Sequence, residues 1–198
     1  MSGDFQLNSM KRLAVYCGSS MGTDPAFRAA AQAIGAAMAE RGIGLVYGGG
    51  RLGLMGVVAD AVLANGGEAH GVIPQALTDL EVAHRGLTEL HVVTTMHERK
   101  AKMTELTDAF VALPGGIGTY DELFEAWTWN ALGYHAKPFA LLNVAGFWDE
   151  MIRFLDHATA SGFMSPARRA QLLVADEVDE AIEKLDAALG ASEKKMVW

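Results

Sequence analysis

The sequence predicts an α/β fold, a single Rossmann-like, doubly wound domain whose mostly parallel sheet of about seven strands has helices on both faces. Short runs that are apolar throughout alternate with segments of helical periodicity. Strands of that kind are buried on both faces, as in parallel sheets covered by crossover helices. The length of 198 residues, of which 51% are hydrophobic and 20% charged, suits one domain with a full core.

The elements follow in order along the chain. We expect seven strands, at residues 13–17, 43–47, 68–73, 90–93, 109–113, 138–142 and 172–174. Helices are predicted at residues 25–41, 54–64, 96–107, 119–132, 147–161 and 178–189. Asp24-Pro25 starts the first helix and Gly42 ends it, as cap, first-turn proline and terminal glycine commonly do. Residues 74–87 lack periodicity and are predicted to form a mobile loop, and residues 1–9 and 193–198 to be loose tails of the 1–198 domain.

Composition excludes several classes of protein. A net charge of -8 argues against a nucleic-acid polymer as partner. No apolar run approaches the roughly 18 residues of a membrane span, and the N-terminus has no secretory signal, so no membrane association is expected. The single cysteine, Cys17, excludes an internal disulfide and fits a cytoplasmic protein. The histidines lack the spacing of zinc ligands, so no metal is predicted.

A glycine-rich turn, Pro114-Gly115-Gly116-Ile117-Gly118-Thr119, lies between the fifth strand and the following helix. Backbone N–H groups at such a turn, with the helix N-terminus, can bind a phosphate. Glu122 lies three residues after Thr119, and its carboxylate would repel that anion unless it acts on another part of the ligand. Thr119 and Glu122 also match a capping box with Thr119 as N-cap, so these four residues taken alone favour a cap.

Two further glycine-bearing loops follow the first two strands, Gly18-Ser19-Ser20 and Gly48-Gly49-Gly50. Ligands of doubly wound folds bind outside the carboxyl ends of the strands. Three such turns at one edge of the sheet therefore predict a backbone-lined pocket for an anionic ligand. Neither a Walker A motif nor a complete dinucleotide fingerprint is present, so NAD is not expected.

The fourth predicted strand is followed by Met96-His97-Glu98-Arg99-Lys100, which opens a helix. Arg99 lies on the same stripe as Met96 and Met103, facing the core, where a guanidinium needs an anionic partner. That partner is either an internal carboxylate or a ligand in the pocket. Lys100, one step round the helix, is either a solvated surface lysine or a nucleotide contact.

These motifs resemble those of the LOG family, the cytokinin-activating phosphoribohydrolases, many of which carry the older label "lysine decarboxylase family". Residues 114–122 match the signature P-G-G-x-G-T-x-x-E at every fixed position, residues 47–56 are similar to a second family block, and Met96, Arg99 and Lys100 match its M-x-x-R-K block. The resemblance covers about residues 12 to 180. It implies hydrolysis of an N6-modified adenosine 5′-monophosphate, such as the isopentenyl form, to the free base and ribose 5-phosphate. The groups expected to carry the reaction are side chains and backbone dipoles, so no metal or cofactor is predicted.

Motifs and resemblance together select the candidate site. Arg99 and Glu122 are the expected catalytic residues. The expected substrate-binding residues are Ser19, Gly48, Gly49, Gly50, Glu81, Lys100, Gly115, Gly116, Ile117, Gly118, Thr119, Tyr120, Asp121 and Thr128. Among these, Glu81 and Thr128 rest chiefly on the resemblance.

Three other functions compete with this interpretation. A plain AMP nucleosidase would use the same residues, whereas a non-catalytic nucleotide or molybdenum-cofactor carrier would not need Arg99 and Glu122 together. A pyridoxal-phosphate lysine decarboxylase needs a Schiff-base lysine, and Lys100, Lys102 and Lys137 lack that context. The joint presence of Arg99 and Glu122 favours the enzyme.

The helix predicted at residues 119–132 is apolar on more than one face. Leu123 and Trp127 can cover the sheet, while Phe124, Trp129 and Leu132 lie elsewhere around the helix. A second copy of the chain would cover that surface through a two-fold interface. The sequence and the resemblance therefore both predict a homodimer with the pocket near the shared surface.

Overall fold

A computed structural model describes residues 10–79 and 83–195 and has the predicted α/β architecture. Its strands are β1 (Arg12–Tyr16), β2 (Gly44–Tyr47), β3 (Ala69–Pro74), β4 (Glu89–Val93), β5 (Ala109–Ala112), β6 (Phe139–Leu142) and β7 (Leu172–Ala175). They form one sheet in the order β4-β3-β2-β1-β5-β6-β7. Every neighbouring pair is parallel, so the chain winds outward in both directions from β1, as in a Rossmann-like fold.

The helices connect these strands. They are α1 (Pro25–Glu40), α2 (Gly53–Ala64), α3 (Gln75–Asp79), α4 (Met96–Leu106), α5 (Ile117–Ala131), α6 (Asp149–Ala160), α7 (Pro166–Arg169) and α8 (Val178–Lys195). The Asp24 side chain accepts a hydrogen bond from the Ala26 N–H at 2.8 Å, which caps α1 as predicted. Thr95 caps α4 by accepting from the Glu98 N–H at 3.1 Å.

The structure corrects the sequence prediction in three places. The segment expected to be one irregular loop contains α3 and is joined to the second glycine loop by an isolated bridge between Gly50 and Ala83. The short helix α7 was not predicted, and α8 continues through Lys195, where a loose tail was expected. Both short helices have fewer than the seven or so residues that reveal a helical period. The remaining tail residues, 1–9 and 196–198, lie outside the described residues.

The sheet separates two cores, which explains why its strands are apolar at nearly every position. On one face Leu13 and Val15 pack with residues of α1, α2 and α8. On the other face Ala14 and Tyr16 pack with residues of α4, α5 and α6. These four side chains of β1 are at most 3% exposed, as expected for a strand covered on both sides. None of the described helices is long and apolar enough to cross a membrane.

The three glycine loops meet where the winding direction changes. The Gly18 N–H donates to the Pro114 carbonyl at 3.1 Å, which joins the loop after β1 to the loop after β5. The Met55 N–H donates to the Gly18 carbonyl at 3.3 Å, which joins the start of α2 to the same point. These backbone bonds hold the loops side by side at the carboxyl edge of β1, β2 and β5.

Candidate active site

A cavity of about 520 Å³ opens at this edge of the sheet, a volume within the range of small-molecule sites. All three glycine loops contribute to it. It is lined by Cys17, Gly18, Ser19, Ser20, Gly48, Gly50, Leu52, Met55, Ile73, Leu77, Arg99, Gly116, Ile117, Gly118, Thr119 and Glu122. The predicted catalytic pair and seven of the predicted binding residues therefore surround one space.

Helix α5 begins within the glycine-rich turn, before the residue that the sequence pattern marks as its N-cap. The helix begins at Ile117, and its N-cap is Gly116, which makes no side-chain cap hydrogen bond. Thr119 is therefore the third helical residue, and the interpretation of Thr119 and Glu122 as a capping box is wrong. Both side chains are left for the cavity, which they line. A Cβ atom at Gly115 would lie 2.1 Å from Thr119 Oγ1, so glycine is required for the turn to fold over Thr119.

Arg99 is held in the cavity wall by backbone carbonyls. Its Nε donates to Val72 O at 3.1 Å and its Nη2 to Gly48 O at 2.8 Å. The side chain is buried, and no salt bridge joins it to another of the residues at 10–79 and 83–195. A Cβ atom at Gly48 would lie 1.8 Å from Nη2, so the second glycine loop leaves the space that the guanidinium fills. The positive charge is thus positioned by neutral groups and faces the cavity.

Glu122 is a half-buried carboxyl with an unusual affinity for protons. Its pKa is raised to about 7, chiefly by burial. The charges of Arg99 and Lys100 lower the pKa in part, and those of nearby Asp121 and Glu125 add to the rise. A group with a pKa near neutrality can both take and give a proton at physiological pH. Such a shift in a cavity next to a fixed positive charge marks a candidate catalytic residue.

Lys100 lies outside the cavity, in the contact between α4 and α5. Its Nζ is 2.6 Å from Glu125 Oε2 and 3.1 Å from Asp121 Oδ2. Burial alone would lower the pKa of Lys100, but its hydrogen bonds to Glu125 and Asp121 raise it above the ordinary value. The prediction of a solvated surface lysine is wrong, because the side chain is buried. A contact with substrate stays a prediction.

The other expected binding residues fall into two groups. Gly49 and Gly115 shape loops whose neighbours line the cavity, and the Gly49 carbonyl accepts from the His84 N–H at 2.9 Å. Tyr120, Asp121 and Thr128 line a separate shallow depression on the outer side of α5, with Ile117, Phe124, Glu125 and Trp129. Glu81 lies outside the described residues. Binding by these residues stays a prediction.

One part of the cavity, its apolar wall, could hardly be predicted from the sequence. Leu52, Met55, Ile73 and Leu77 come from three different segments and line the cavity together. Only Met55, within the second glycine block, carried a signal. Cys17 also lines the cavity, but burial and the nearby Glu122 raise the pKa of its thiol, which disfavours a thiolate nucleophile.

Comparison with known proteins shows the family of the chain. The model of a family described as "Possible lysine decarboxylase" matches residues 55–185. A cytokinin riboside 5′-monophosphate phosphoribohydrolase of Rhodococcoides fascians is 47% identical over 173 residues, which cover 87% of each chain. The chain belongs to the LOG family. Another LOG-family relative, cytokinin riboside 5′-monophosphate phosphoribohydrolase LOG of Oryza sativa subsp. japonica, is 45% identical over 188 residues, 95% of this chain and 78% of the relative.

The fold of this LOG-family chain is shared with proteins of other function. The Moco Carrier Protein of Chlamydomonas reinhardtii superposes with a TM-score of 0.68 at 22% identity, covering 91% of this chain and 98% of the carrier. At that identity the likeness concerns the fold alone.

The older family description names a reaction that the cavity does not fit. Lysine decarboxylases of the pyridoxal-phosphate type bind the cofactor through a lysine. The described residues that line the cavity include no lysine. Lys100 is bound to carboxylates, Lys102 to Glu105, and Lys137 donates to the Thr104 carbonyl.

Proposed function

We propose that the chain hydrolyses the N-glycosidic bond of adenosine 5′-monophosphates and prefers N6-modified forms such as isopentenyladenosine monophosphate. The products are the free base and ribose 5-phosphate. One observation carries the proposal: Glu122, with a pKa of about 7, shares a cavity with Arg99 and a glycine-rich helix N-terminus. Relatives at 41–47% identity are named as phosphoribohydrolases of cytokinin riboside 5′-monophosphates, which supports the same reaction here.

The 5′-phosphate is assigned to the start of α5. Gly116, Ile117, Gly118 and Thr119 form the first turn of a 15-residue helix, whose free N–H groups and positive dipole end favour an anion. Binding the phosphate there fixes the ribose over the following turn. Glu122, one turn along the same helix, then acts at C1′ and not on the phosphate, which resolves the apparent conflict of an acid beside an anion site.

The reaction follows from these positions. The oxygen of water bonds to C1′ while the bond from C1′ to the base nitrogen breaks. The electron pair of that bond leaves with the base, which takes up a proton from solvent, and Glu122 afterwards returns to solvent the proton that it accepts from the water. The Glu122 carboxylate stabilises the oxocarbenium-like transition state and accepts the proton of the water. Arg99 opposes the effect of burial on the pKa of Glu122 and so keeps a fraction of the carboxyl ionised near pH 7. Positioning by the phosphate supplies several kcal/mol of the barrier reduction.

The apolar wall supports an N6-alkylated substrate over plain AMP. Leu52, Met55, Ile73 and Leu77 offer hydrocarbon surface to the cavity. An isoprenoid group buried there would gain about 0.8 kcal/mol for each CH₂ removed from water, whereas the bare amino group of AMP would gain nothing. Plain AMP is therefore the poorer substrate.

The test is a panel of nucleoside monophosphates with and without N6 substituents, assayed for free base and for ribose 5-phosphate. We expect both products in equal amounts and a higher kcat/KM for the isopentenyl substrate. Tight binding without ribose 5-phosphate would identify a carrier, and equal kcat/KM for AMP would identify a plain nucleosidase. Glu183→Gln, an exposed acid on α8, is the matched control for variants of Glu122.

We further propose a homodimer formed through the outer side of α5. Phe124 of α5 is 36% exposed and lines the shallow depression described above, and Leu132 and Tyr134, just after the helix, are 64% and 75% exposed. Light scattering should give about 42 kDa, twice the chain mass of 21.1 kDa, and Phe124→Asp should give the single chain. Full activity of wild-type protein at 21.1 kDa would refute the dimer. A cytoplasmic location is proposed as well, supported by the free and buried Cys17.

A further inference from the structure

Two histidines and a glutamate meet at the edge of the sheet, in a group that does not line the cavity. His70 lies on β3, and Glu89 and His91 lie two residues apart on the neighbouring β4, so their side chains share a face. Glu89 Oε2 is 3.6 Å from His70 Nδ1 and 3.4 Å from His91 Nε2. One ligand atom from each residue lies within 4.8 Å of the others. We refer to these three residues as the edge cluster.

The edge cluster contains a buried polar atom that the fold itself does not require. His70 is 4% exposed and pairs with Val46 of β2, in a row that continues through Ala14 to Phe110. An aliphatic side chain would suit that position. Instead, His70 Nδ1 and His91 Nε2 are buried with no hydrogen-bond partner in the described part of the chain. Buried nitrogens of this kind are nearly always satisfied, so both point to a ligand between them.

We propose that the edge cluster binds a divalent transition-metal ion of the zinc type. Imidazole nitrogen and carboxylate oxygen are the ordinary ligands of zinc, at about 2.0–2.2 Å. Tetrahedral coordination at that length separates neighbouring ligand atoms by about 3.3 Å, close to the 3.4 and 3.6 Å between Glu89 and the two histidines. Mg²⁺ and Ca²⁺ fit less well, because they prefer oxygen ligands. Water completes the fourth position.

A neighbouring carboxylate supports this assignment. His70 Nε2 is 3.4 Å from Glu68 Oε2. A metal-bound histidine usually donates its second ring N–H to such a group, which fixes the tautomer and leaves the other nitrogen free to ligate. Here the N–H at Nε2 would face Glu68 and the lone pair at Nδ1 would face the ion. The side chains of Glu68 and Glu89 are 66% and 56% exposed, so an ion can reach the buried nitrogen from solvent.

The ion would act on stability and not on hydrolysis. Its ligands join the edge strand β4 to β3, and none of them is among the residues that line the cavity. An ion that binds the folded chain alone raises the melting temperature by linkage. At a free concentration of a hundred times Kd, the expected rise for a chain of this size is about 5–10 °C.

The test is titration of chelator-treated protein with Zn²⁺ by calorimetry, and with Co²⁺ by the visible absorption of tetrahedral cobalt. We expect one ion per chain and a higher Tm. His91→Ala removes a partly exposed ligand and should weaken binding by more than the roughly 10- to 100-fold that loss of an outer partner costs. Glu68→Gln should weaken binding by about 10- to 100-fold. His157→Ala, an exposed histidine on α6, should bind as the wild type does.

Equal affinity and stoichiometry for the wild type and His91→Ala would overturn the proposal, and so would a wild type without a one-to-one site. If His91→Ala does not fold, Glu89→Gln replaces it, because Glu89 is exposed on the edge strand. Cys17 is unchanged in all these variants, and the variants of His91, Glu89 and Glu68 keep the histidines outside the edge cluster, so their loss of binding is assigned to the edge cluster.

Discussion

Neighbouring charged residues of α4 and α5 lie in two different environments. Lys100 of α4 meets Glu125 and Asp121 of α5 at 2.6 and 3.1 Å, and opposite charges compensate each other. One residue earlier on α4, Arg99 is held by two backbone carbonyls, and Glu122 keeps a carboxyl whose pKa is raised to about 7. Paired charges hold the helices together, whereas charges left without a partner at the cavity are available for chemistry.

The largest expected effect follows from removing the unpaired acid. Glu122→Gln keeps the size and polarity of the side chain but cannot accept a proton. We expect kcat for base release to fall by about a hundredfold to ten-thousandfold, while Kd for the nucleotide changes little. If the variant retained more than about a tenth of wild-type kcat with unchanged stability, Glu122 would not be the catalytic carboxylate. Glu183→Gln is the control.

A second large effect concerns the substrate. Adenosine and N6-isopentenyladenosine lack the phosphate that is assigned to the first turn of α5, so they lose positioning as well as affinity. We expect kcat/KM to fall by at least roughly a hundredfold relative to the monophosphates. Similar kcat/KM for nucleoside and nucleotide would remove the reason for placing Glu122 at C1′.

Glu125, which is paired with Lys100, should behave differently from Glu122, which is not. Glu125→Gln leaves Lys100 buried with one partner fewer, which should lower the free energy of unfolding by about 1–3 kcal/mol. The change in kcat should stay within a few fold, because Glu125 does not line the cavity. Urea denaturation and steady-state kinetics of the same preparation measure both quantities. Loss of activity as deep as that of Glu122→Gln would show that the two acids do not have separate roles.

The smallest effect is expected from chelation. All the groups assigned to hydrolysis are side chains or backbone dipoles of this chain, so EDTA should leave kcat unchanged at temperatures well below Tm. Removal of an ion from the edge cluster would instead lower Tm. Complete loss of base release in EDTA, restored by a divalent ion, would contradict the assignment of the reaction to Glu122 and Arg99.

How far the sequence predicts this molecule depends on the length and burial of each element. All seven strands were located to within one residue, because burial on both faces leaves them apolar throughout. The helices α3 and α7, of five and four residues, are too short for periodicity to reveal. The start of helix α5 was predicted two residues too late. Its N-cap is Gly116, which has no capping side chain, and the side chain of Thr119 resembled an N-cap without being one.

The parts of the sites also differ in how far the sequence predicts them. The residues of the signature turn are contiguous, so a motif could identify them. The partners of Lys100 and the apolar wall depend on how separate segments pack, which no local pattern records. The edge cluster leaves no pattern in the sequence because its residues come from two strands, with His70 nineteen residues before Glu89. The sequence predicted no metal on the ground of helical and zinc-finger spacings, which do not include this two-strand arrangement.

The titration of Glu122 tests the central claim most directly. Difference infrared spectra between the wild type and Glu122→Gln, recorded against pH, isolate this one carboxyl. A pKa raised to about 7 means that the carboxylate form is lost as the pH falls through about 7, and kcat/KM should fall tenfold per unit below that point. We predict a midpoint near 7 in both the spectra and the pH–rate profile. A carboxyl that titrates near the ordinary glutamate value, about 4.3, would show that Glu122 is as compensated as its neighbours and would contradict the account.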